Sequence, residues 1–145
     1  MGLYDTLVFD ADVPWDLRMP CGHVARAFQT KALGRGLQGY RIHADGTLVR
    51  VTAGFVDPRD GTQSLAELEA LPTEPFDGRI GDRQVDALTF EAHTPCDECL
   101  WGPGYDKVER HGGHRVPWID LEIVWQQGKI IRATATGRWT GGGRP

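Results

Sequence analysis

The apolar and polar positions in the second half of the chain alternate with a period of two. The apolar positions are Ile119, Leu121, Ile123 and Trp125. Alternation of this kind is typical of a strand with one buried face. Gln127 and Gly128 follow as a turn, and residues 129–136 return as the second strand of a hairpin. The same stretch predicts that Trp118 and Trp125 lie in the core.

A comparable hairpin is predicted in the first half of the chain. Residues 40–44 lead into Asp45 and Gly46, and residues 47–53 return. Asp-Gly is favoured in two-residue hairpin turns because both central residues of a type I′ turn need a positive φ. Each half therefore contains a hairpin with a glycine at its turn.

Two short matches relate the halves more directly. Residues 7–14 match residues 88–95 at four of eight positions, at an offset of 81 residues. Residues 46–53 match residues 128–135 at four of eight positions, at an offset of 82 residues. Two matches in the same order at nearly the same offset predict an internal duplication, although strand-forming residues can also coincide by chance.

One short helix is predicted between the halves. Ser64 can cap it, Glu67 can complete a capping box, and Pro72 ends it. Three apolar residues share one face of this helix: Leu65, Leu68 and Leu71. The predicted fold is therefore mostly β (α+β), with two related strand–turn–hairpin halves packed together and one short helix between them.

We expect the whole chain to form a single domain, because its 145 residues lie within the usual domain size. The predicted segments are a first β half (1–56), a linker with the short helix (57–83), a second β half (84–137) and a flexible tail (138–145). The tail is predicted from its glycine-rich end.

Composition narrows the class of partner. The chain is 40% hydrophobic and 25% charged, so it can bury a core, and its formal net charge of −4 argues against a dedicated binder of nucleic acid.

No apolar run is long enough for a membrane span, and no leader pattern opens the chain. Three cysteines do not make a complete disulfide set. We therefore expect the bacterial cytoplasm, where cysteines serve as metal ligands or buried thiols.

The densest group of metal-ligand residues lies in the second half. It consists of Cys96, Cys99, His111 and His114. Zinc prefers four sulfur or nitrogen ligands in a tetrahedron, and a C-x2-C turn supplies two sulfurs. Gly112 and Gly113 exclude a helix between the two histidines, so both would bind from a loop.

A second set competes for the same ion. Cys21 and His23 follow a proline in the first half and could join Cys96 and Cys99, which would cross-link the two halves. His93 is a further candidate. Four protein ligands favour a structural zinc, whereas three would leave a position for water and make hydrolysis possible. Buried thiols and solvent-facing histidines are the alternative to a metal site, and both ligand sets stay open.

Other catalytic patterns are weak, and no catalytic residue is predicted. The pattern Gly34-x-Gly36-x2-Gly39 spells the dinucleotide fingerprint, but it precedes a strand instead of joining a strand to a helix. We therefore expect a glycine-rich loop. The single serine, Ser64, is a helix cap. A thiol nucleophile at Cys21 is disfavoured, since we expect an extended segment in which this thiol does not pair directly with His23.

Three segments resemble a group of small phage and prophage proteins. They are the MGLYDT start, Phe28-Gln29-Thr30-Lys31-x-Leu33, and Tyr40-x-Ile42-x2-Asp45-Gly46. The resemblance implies a phage or mobile-element context in a bacterial cytoplasm and carries no activity. Candidate partner-binding residues are Gln29, Lys31, Trp101 and Tyr105. For Gln29 and Lys31 the favoured interpretation is a strand that enters the first sheet.

The sequence therefore predicts a small phage-type interaction protein with a structural zinc, which binds a bacterial or phage protein and could inhibit a host defence system. The first alternative is a metal-dependent hydrolase that uses the Cys/His cluster with Asp97 or Glu98. The second is a zinc-ribbon-like protein that binds nucleic acid through arginines, namely Arg26, Arg35, Arg41 and Arg50. The oligomeric state stays open.

Overall fold

The computed structural model describes residues 4–34, 36–56, 63–96 and 116–140. Most of the elements are strands, which confirms the mostly β prediction. In chain order they are β1 (Asp5–Phe9), β2 (Ala27–Thr30), β3 (Gly39–Ile42), β4 (Leu48–Val51), α1 (Leu65–Glu69), β5 (Thr73–Pro75), β6 (Arg79–Ile80), β7 (Arg83–Gln84), β8 (Ala87–Pro95), β9 (Val116–Gln126) and β10 (Lys129–Thr140).

Eight strands form one sheet in the order β10-β9-β8-β2-β1-β3-β4-β5, and β6 and β7 form a separate hairpin. Every pair in the large sheet is antiparallel except β1 and β3, which run parallel. β2 therefore lies between β1 and β8 and joins the strands of the two predicted halves.

The alternation predicted for β9 is confirmed. Its four inward side chains are at most 2% exposed, and they are Ile119, Leu121, Ile123 and Trp125. They pack in one apolar core with buried side chains of the first half, among them Leu7, Phe9, Phe28, Ile42 and Leu48. Trp118 is only half-buried, because it lies one residue out of this register and faces away from the core.

Helix α1 has the predicted start. Ser64 Oγ accepts a hydrogen bond from the backbone N–H of Glu67, and the Glu67 carboxylate accepts one from the backbone N–H of Ser64. This reciprocal pair confirms the capping box. Leu68 is fully buried, and Arg41 of β3 donates to the carbonyl of Glu69 at the end of the helix. Among the described residues, no helix is long and apolar enough to span a membrane.

The turns of the two hairpins meet. The N–H of Leu48 donates to the carbonyl of Gly128, and the N–H of Ile130 donates to the carbonyl of Gly46, at 3.0 and 2.7 Å. The sheet must therefore curl, since β4 and β10 are distant in strand order. Gly46 has φ +92°, and a Cβ added there would lie 2.5 Å from the Ile130 carbonyl oxygen.

The structure does not confirm an internal repeat. The segment that matches β1 is β8, but β1 pairs with β3 in parallel, whereas β8 pairs with β9 antiparallel. The element bounds also differ from the predicted segments. Strand β10 continues to Thr140 because its last residues pair with the start of β9. Strands β5 and β6 lie within the stretch predicted as a linker, and β7 crosses its end.

Candidate metal centre

Cys21 and His23 lie in a tight turn that interrupts the long connection between β1 and β2. Gly22 donates to the carbonyl of Met19, and the N–H of Met19 donates to the carbonyl of His23. Gly22 has φ +96°, a conformation that glycine adopts without steric cost. This segment, residues 19–23, is called the Cys–His turn below. Its backbone hydrogen bonds fix the directions in which the side chains of Cys21 and His23 point.

Cys96 comes from a distant part of the sequence. It directly follows β8, as the sequence predicted for a cysteine after a strand, and its N–H donates to the carbonyl of Pro117 in β9 at 2.9 Å. The side chain is 3% exposed, whereas Cys21 is only partly buried. The hydrogen bond to β9 and the burial of the side chain therefore fix the position of Cys96 at the end of the sheet.

The turn and the strand end bring three ligand atoms together. Cys21 Sγ lies 3.2 Å from His23 Nδ1 and 3.6 Å from Cys96 Sγ, and Cys96 Sγ lies 3.4 Å from His23 Nδ1. In a tetrahedral zinc site with ordinary bond lengths, two sulfurs are about 3.8 Å apart and a sulfur and a nitrogen about 3.6 Å. The three atoms thus occupy nearly the triangle that a bound ion requires.

The Cys–His turn also packs against the sheet through Pro20. A Cβ added at Gly137 of β10 would lie 3.0 Å from both Cγ and Cδ of Pro20. The absence of a side chain at Gly137 therefore lets the proline ring approach the strand. The turn contacts the second half through this proline as well as through the cysteines.

Two predictions about the cluster are corrected. Cys21 and His23 were not expected to pair directly, yet their Sγ and Nδ1 atoms are in contact. That expectation is wrong because the segment turns, and because residues two apart share a face even in an extended strand. His93 is not part of the cluster. Its ring stacks on Trp118 on the outer face of the sheet, with centroids 5.5 Å apart.

Several predicted site residues lie outside the described part of the chain. They are Cys99, Trp101, Tyr105, His111 and His114. The structure therefore joins three members of the ligand set that links the two halves. Of the competing set it describes Cys96 alone.

The described partner-binding candidates lie at the sheet. Gln29 belongs to β2, is half-buried, and pairs with Thr6 of β1 and His93 of β8. Lys31 follows the strand and is exposed. The favoured interpretation of this segment, a strand entering the first sheet, is confirmed for residues up to Thr30.

The arginines of the nucleic-acid alternative have acidic partners within the chain. Arg26 pairs with Glu69, Arg41 with Asp10, and Arg50 with Glu74. Arg41 is only 8% exposed. Arg35 lies outside the described residues. The three described arginines therefore do not form an unpaired basic surface.

Sequence reasoning missed a partly buried polar cluster at the end of β1, in which Arg41 is the buried member. The Asp10 carboxylate accepts hydrogen bonds from Arg41 at 2.9 and 3.2 Å, and it lies 3.0 Å from His43 Nδ1. Alternation could not have revealed the pair, because Arg41 between the apolar residues Tyr40 and Ile42 predicts a solvent-facing position, whereas every residue of β3 is buried. A buried arginine needs an anionic partner, and Asp10 supplies it.

The comparisons with known proteins returned no counterpart. The chain matches no family model, no curated protein and no solved structure. The resemblance to small phage proteins therefore stays a prediction, and the function is argued from the site alone.

Proposed function

We propose that the chain is a small metal-stabilised interaction protein, in which a zinc ion held by Cys21, His23 and Cys96 fixes the Cys–His turn to the end of β8. The single observation that carries the proposal is the triangle of three ligand atoms with sides of 3.2, 3.4 and 3.6 Å. Sulfur and imidazole nitrogen are the ligands that zinc prefers. The donors come from segments 75 residues apart, so the ion would act as a cross-link.

A fourth ligand decides between a structural and a catalytic ion. The described residues supply three, and a fourth protein ligand would close the site, whereas water would leave it open to substrate. Cys99, His111 and His114 are the candidates by sequence. A metal-dependent hydrolase is therefore the second candidate function, and it requires that water, and none of these three residues, completes the site.

Surface character supports the interaction role. The outermost strand β10 carries two large apolar side chains that are well exposed, Ile131 at 54% and Trp139 at 47%. Edge strands and exposed aromatics are common sites of protein contact. The partner we propose is a bacterial or phage protein, in keeping with the sequence resemblance.

Metal analysis of the purified, tag-free protein tests the proposal. We expect about one zinc per chain, and almost none after Cys21→Ser or Cys96→Ser. His93→Gln is the matched control, since this histidine lies outside the cluster, and it should retain full zinc. Wild-type protein without metal, or Cys96→Ser protein with undiminished metal, would refute the site.

Metal removal should also lower stability. At free zinc about a thousandfold above the dissociation constant, the ion adds roughly 4 kcal/mol, or about 10 °C in melting temperature for a chain of this size. A chelator should therefore reduce the melting temperature of wild type and leave Cys96→Ser unchanged. Separate variants of Cys99, His111 and His114 would identify the fourth ligand, and zinc content unaffected by all three would favour the hydrolase.

A further inference from the structure

We infer that Cys21 and Cys96 form a redox-active dithiol, which an oxidant of the peroxide class converts reversibly into a disulfide that replaces the metal ion as cross-link. The inference deepens the proposed function, because the same two sulfurs would hold the ion. It gives the site a second state in which the link between the Cys–His turn and β8 is covalent.

The two sulfurs are already in contact. Their separation is 3.6 Å, so they are close together but not joined in a disulfide. A disulfide requires about 2.05 Å between sulfurs, so the atoms must approach by roughly 1.5 Å. Gly22 follows Cys21, and a Cβ added at this glycine would have no atom of the described residues within 4 Å. The turn therefore has room to adjust, whereas Cys96 is held by its hydrogen bond to Pro117.

Burial assigns different roles to the two thiols. Cys21 is partly exposed and can meet a dissolved oxidant, whereas Cys96 is 3% exposed and, among the described cysteines, contacts Cys21. An accessible attacking cysteine next to a second cysteine is the usual arrangement of redox-sensing sites. His23 Nδ1 lies 3.2 Å from the Cys21 sulfur.

The reaction with hydrogen peroxide balances in two steps. The Cys21 sulfur attacks one peroxide oxygen, the O–O bond breaks, and a sulfenic acid and one water form. The Cys96 sulfur then attacks the Cys21 sulfur, the S–O bond breaks, the S–S bond forms, and a second water leaves. Two thiols lose two electrons, and one peroxide is reduced to two waters. Sulfurs joined in a disulfide are no longer thiolate ligands, so a bound zinc ion would be released.

The experiment uses the full chain in two forms, zinc-loaded and reduced metal-free. Each is treated with stoichiometric hydrogen peroxide, then with a dithiol reductant. Zinc release is followed with a chromogenic chelator, and disulfides are identified by mass spectrometry after trypsin digestion. We expect the peptide 19–26, which contains Cys21, to become linked to the peptide 84–107, which contains Cys96. The reductant should reverse the link.

Matched variants locate the chemistry. Peptide 84–107 also contains Cys99, so Cys99→Ser is used to show that the link to Cys21 still forms without that thiol. Cys21→Ser should slow the oxidation of Cys96 at least about tenfold, because the buried thiol loses its accessible partner. Cys96→Ser should leave Cys21 as sulfenic or more oxidised acid with no intramolecular link.

The outcomes separate the inference from the proposed function. Metal-free protein that still forms the reversible Cys21–Cys96 link supports the dithiol, even where wild type binds no zinc and the proposed metal role fails. Zinc-loaded protein that keeps its metal, together with metal-free protein that forms only a Cys96–Cys99 link or sulfinic acid, overturns the dithiol and leaves the metal site intact.

Discussion

The two halves of the large sheet are built by different means. In the first half, β1 and β3 are five and four residues long and are buried along their whole length. In the second half, β8, β9 and β10 are nine to twelve residues long, and β9 buries alternate residues. Long antiparallel strands supply many ladder hydrogen bonds and one solvated face. Short buried strands supply few, so their polar groups must find partners inside the protein.

Polar side chains of the first half meet that need. The buried Asp5 carboxylate accepts hydrogen bonds from the backbone N–H groups of Gly36 and Gln38, at 3.0 and 2.9 Å. This gives the glycine-rich loop a structural role as the partner of a buried acid. The comparison teaches that first-half stability depends on individual polar contacts, whereas second-half stability is spread along the ladder.

Breaking one ion pair in each half should give the largest difference in unfolding free energy between the halves. Asp10 and Arg41 have side chains 20% and 10% exposed, whereas Asp120 and Arg138 of the second half are 42% and 49% exposed. Arg41→Met should lower the free energy of unfolding by about 3 kcal/mol, because it leaves a largely buried carboxylate without its arginine partner. Arg138→Met should cost less than about 1 kcal/mol, because solvent screens the exposed pair.

Urea denaturation of both variants provides the measurement. Adding Asp10→Leu to Arg41→Met should recover part of the loss, since no charge then stays buried without a partner. Equal losses from Arg41→Met and Arg138→Met would show that the halves do not differ in this respect.

The two turn glycines provide the next comparison. Gly46 and Gly128 occupy matching places in their hairpins, and both have φ +92°. A Cβ at Gly46 would strike the Ile130 carbonyl oxygen, whereas a Cβ at Gly128 would have nothing within 4 Å. Gly128→Ala should therefore cost about 1 kcal/mol through backbone strain alone. Gly46→Ala should cost about 3 kcal/mol, because the carbonyl must also move.

Unfolding free energies of the two alanine variants test this contact between the turns. A further variant, Gly128→Asn, checks the strain term, because asparagine tolerates positive φ better than alanine and should be the milder change. Similar costs at Gly46 and Gly128 would mean that the two turns do not meet closely in solution.

The sequence predicted the fold best where one side-chain period extended over many residues. The alternation of β9 and the Ser64–Glu67 capping box are both local patterns, and both are confirmed. The parallel pairing of β1 with β3 could not be predicted in this way. It depends on contacts across a long connection, and no local pattern encodes whether two strands run parallel.

The candidate site was predictable in its residue types but not in its geometry. Spacing alone allowed two ligand sets that share Cys96 and Cys99, and only the fold shows that Cys21 and His23 reach the end of β8. The decisive features are the turn at Gly22 and the contact of Pro20 with Gly137. The turn is local to residues 19–23 and the contact is tertiary, and neither has a signature in the spacing of cysteines and histidines.

Each half also contains a titratable group with a shifted pKa, and the two pKa values shift in opposite directions. In the second half, a hydrogen bond from Arg138 is the main cause that lowers the pKa of Asp120. In the first half, burial, assisted by the charge of Asp5, raises the pKa of Tyr40 to about 12. Asp120 thus contributes stability that is lost in acid, whereas Tyr40 contributes stability that is lost in alkali.

Tyr40→Phe tests the loss of stability in alkali, which is the smallest of the expected effects. The unfolded chain ionises this phenol near pH 10 and the folded chain near pH 12, so the contribution is complete below pH 10 and disappears as pH rises to 12. Wild type should therefore lose about 1–2 kcal/mol over this window that Tyr40→Phe does not lose. Urea midpoints from pH 9 to 11.5 measure the difference, with Tyr4→Phe as the control for a missing tyrosine. Parallel curves for wild type and Tyr40→Phe would show that the phenol is not buried in the folded protein, and the first half would then lack one of the inward polar groups that distinguish it from the second.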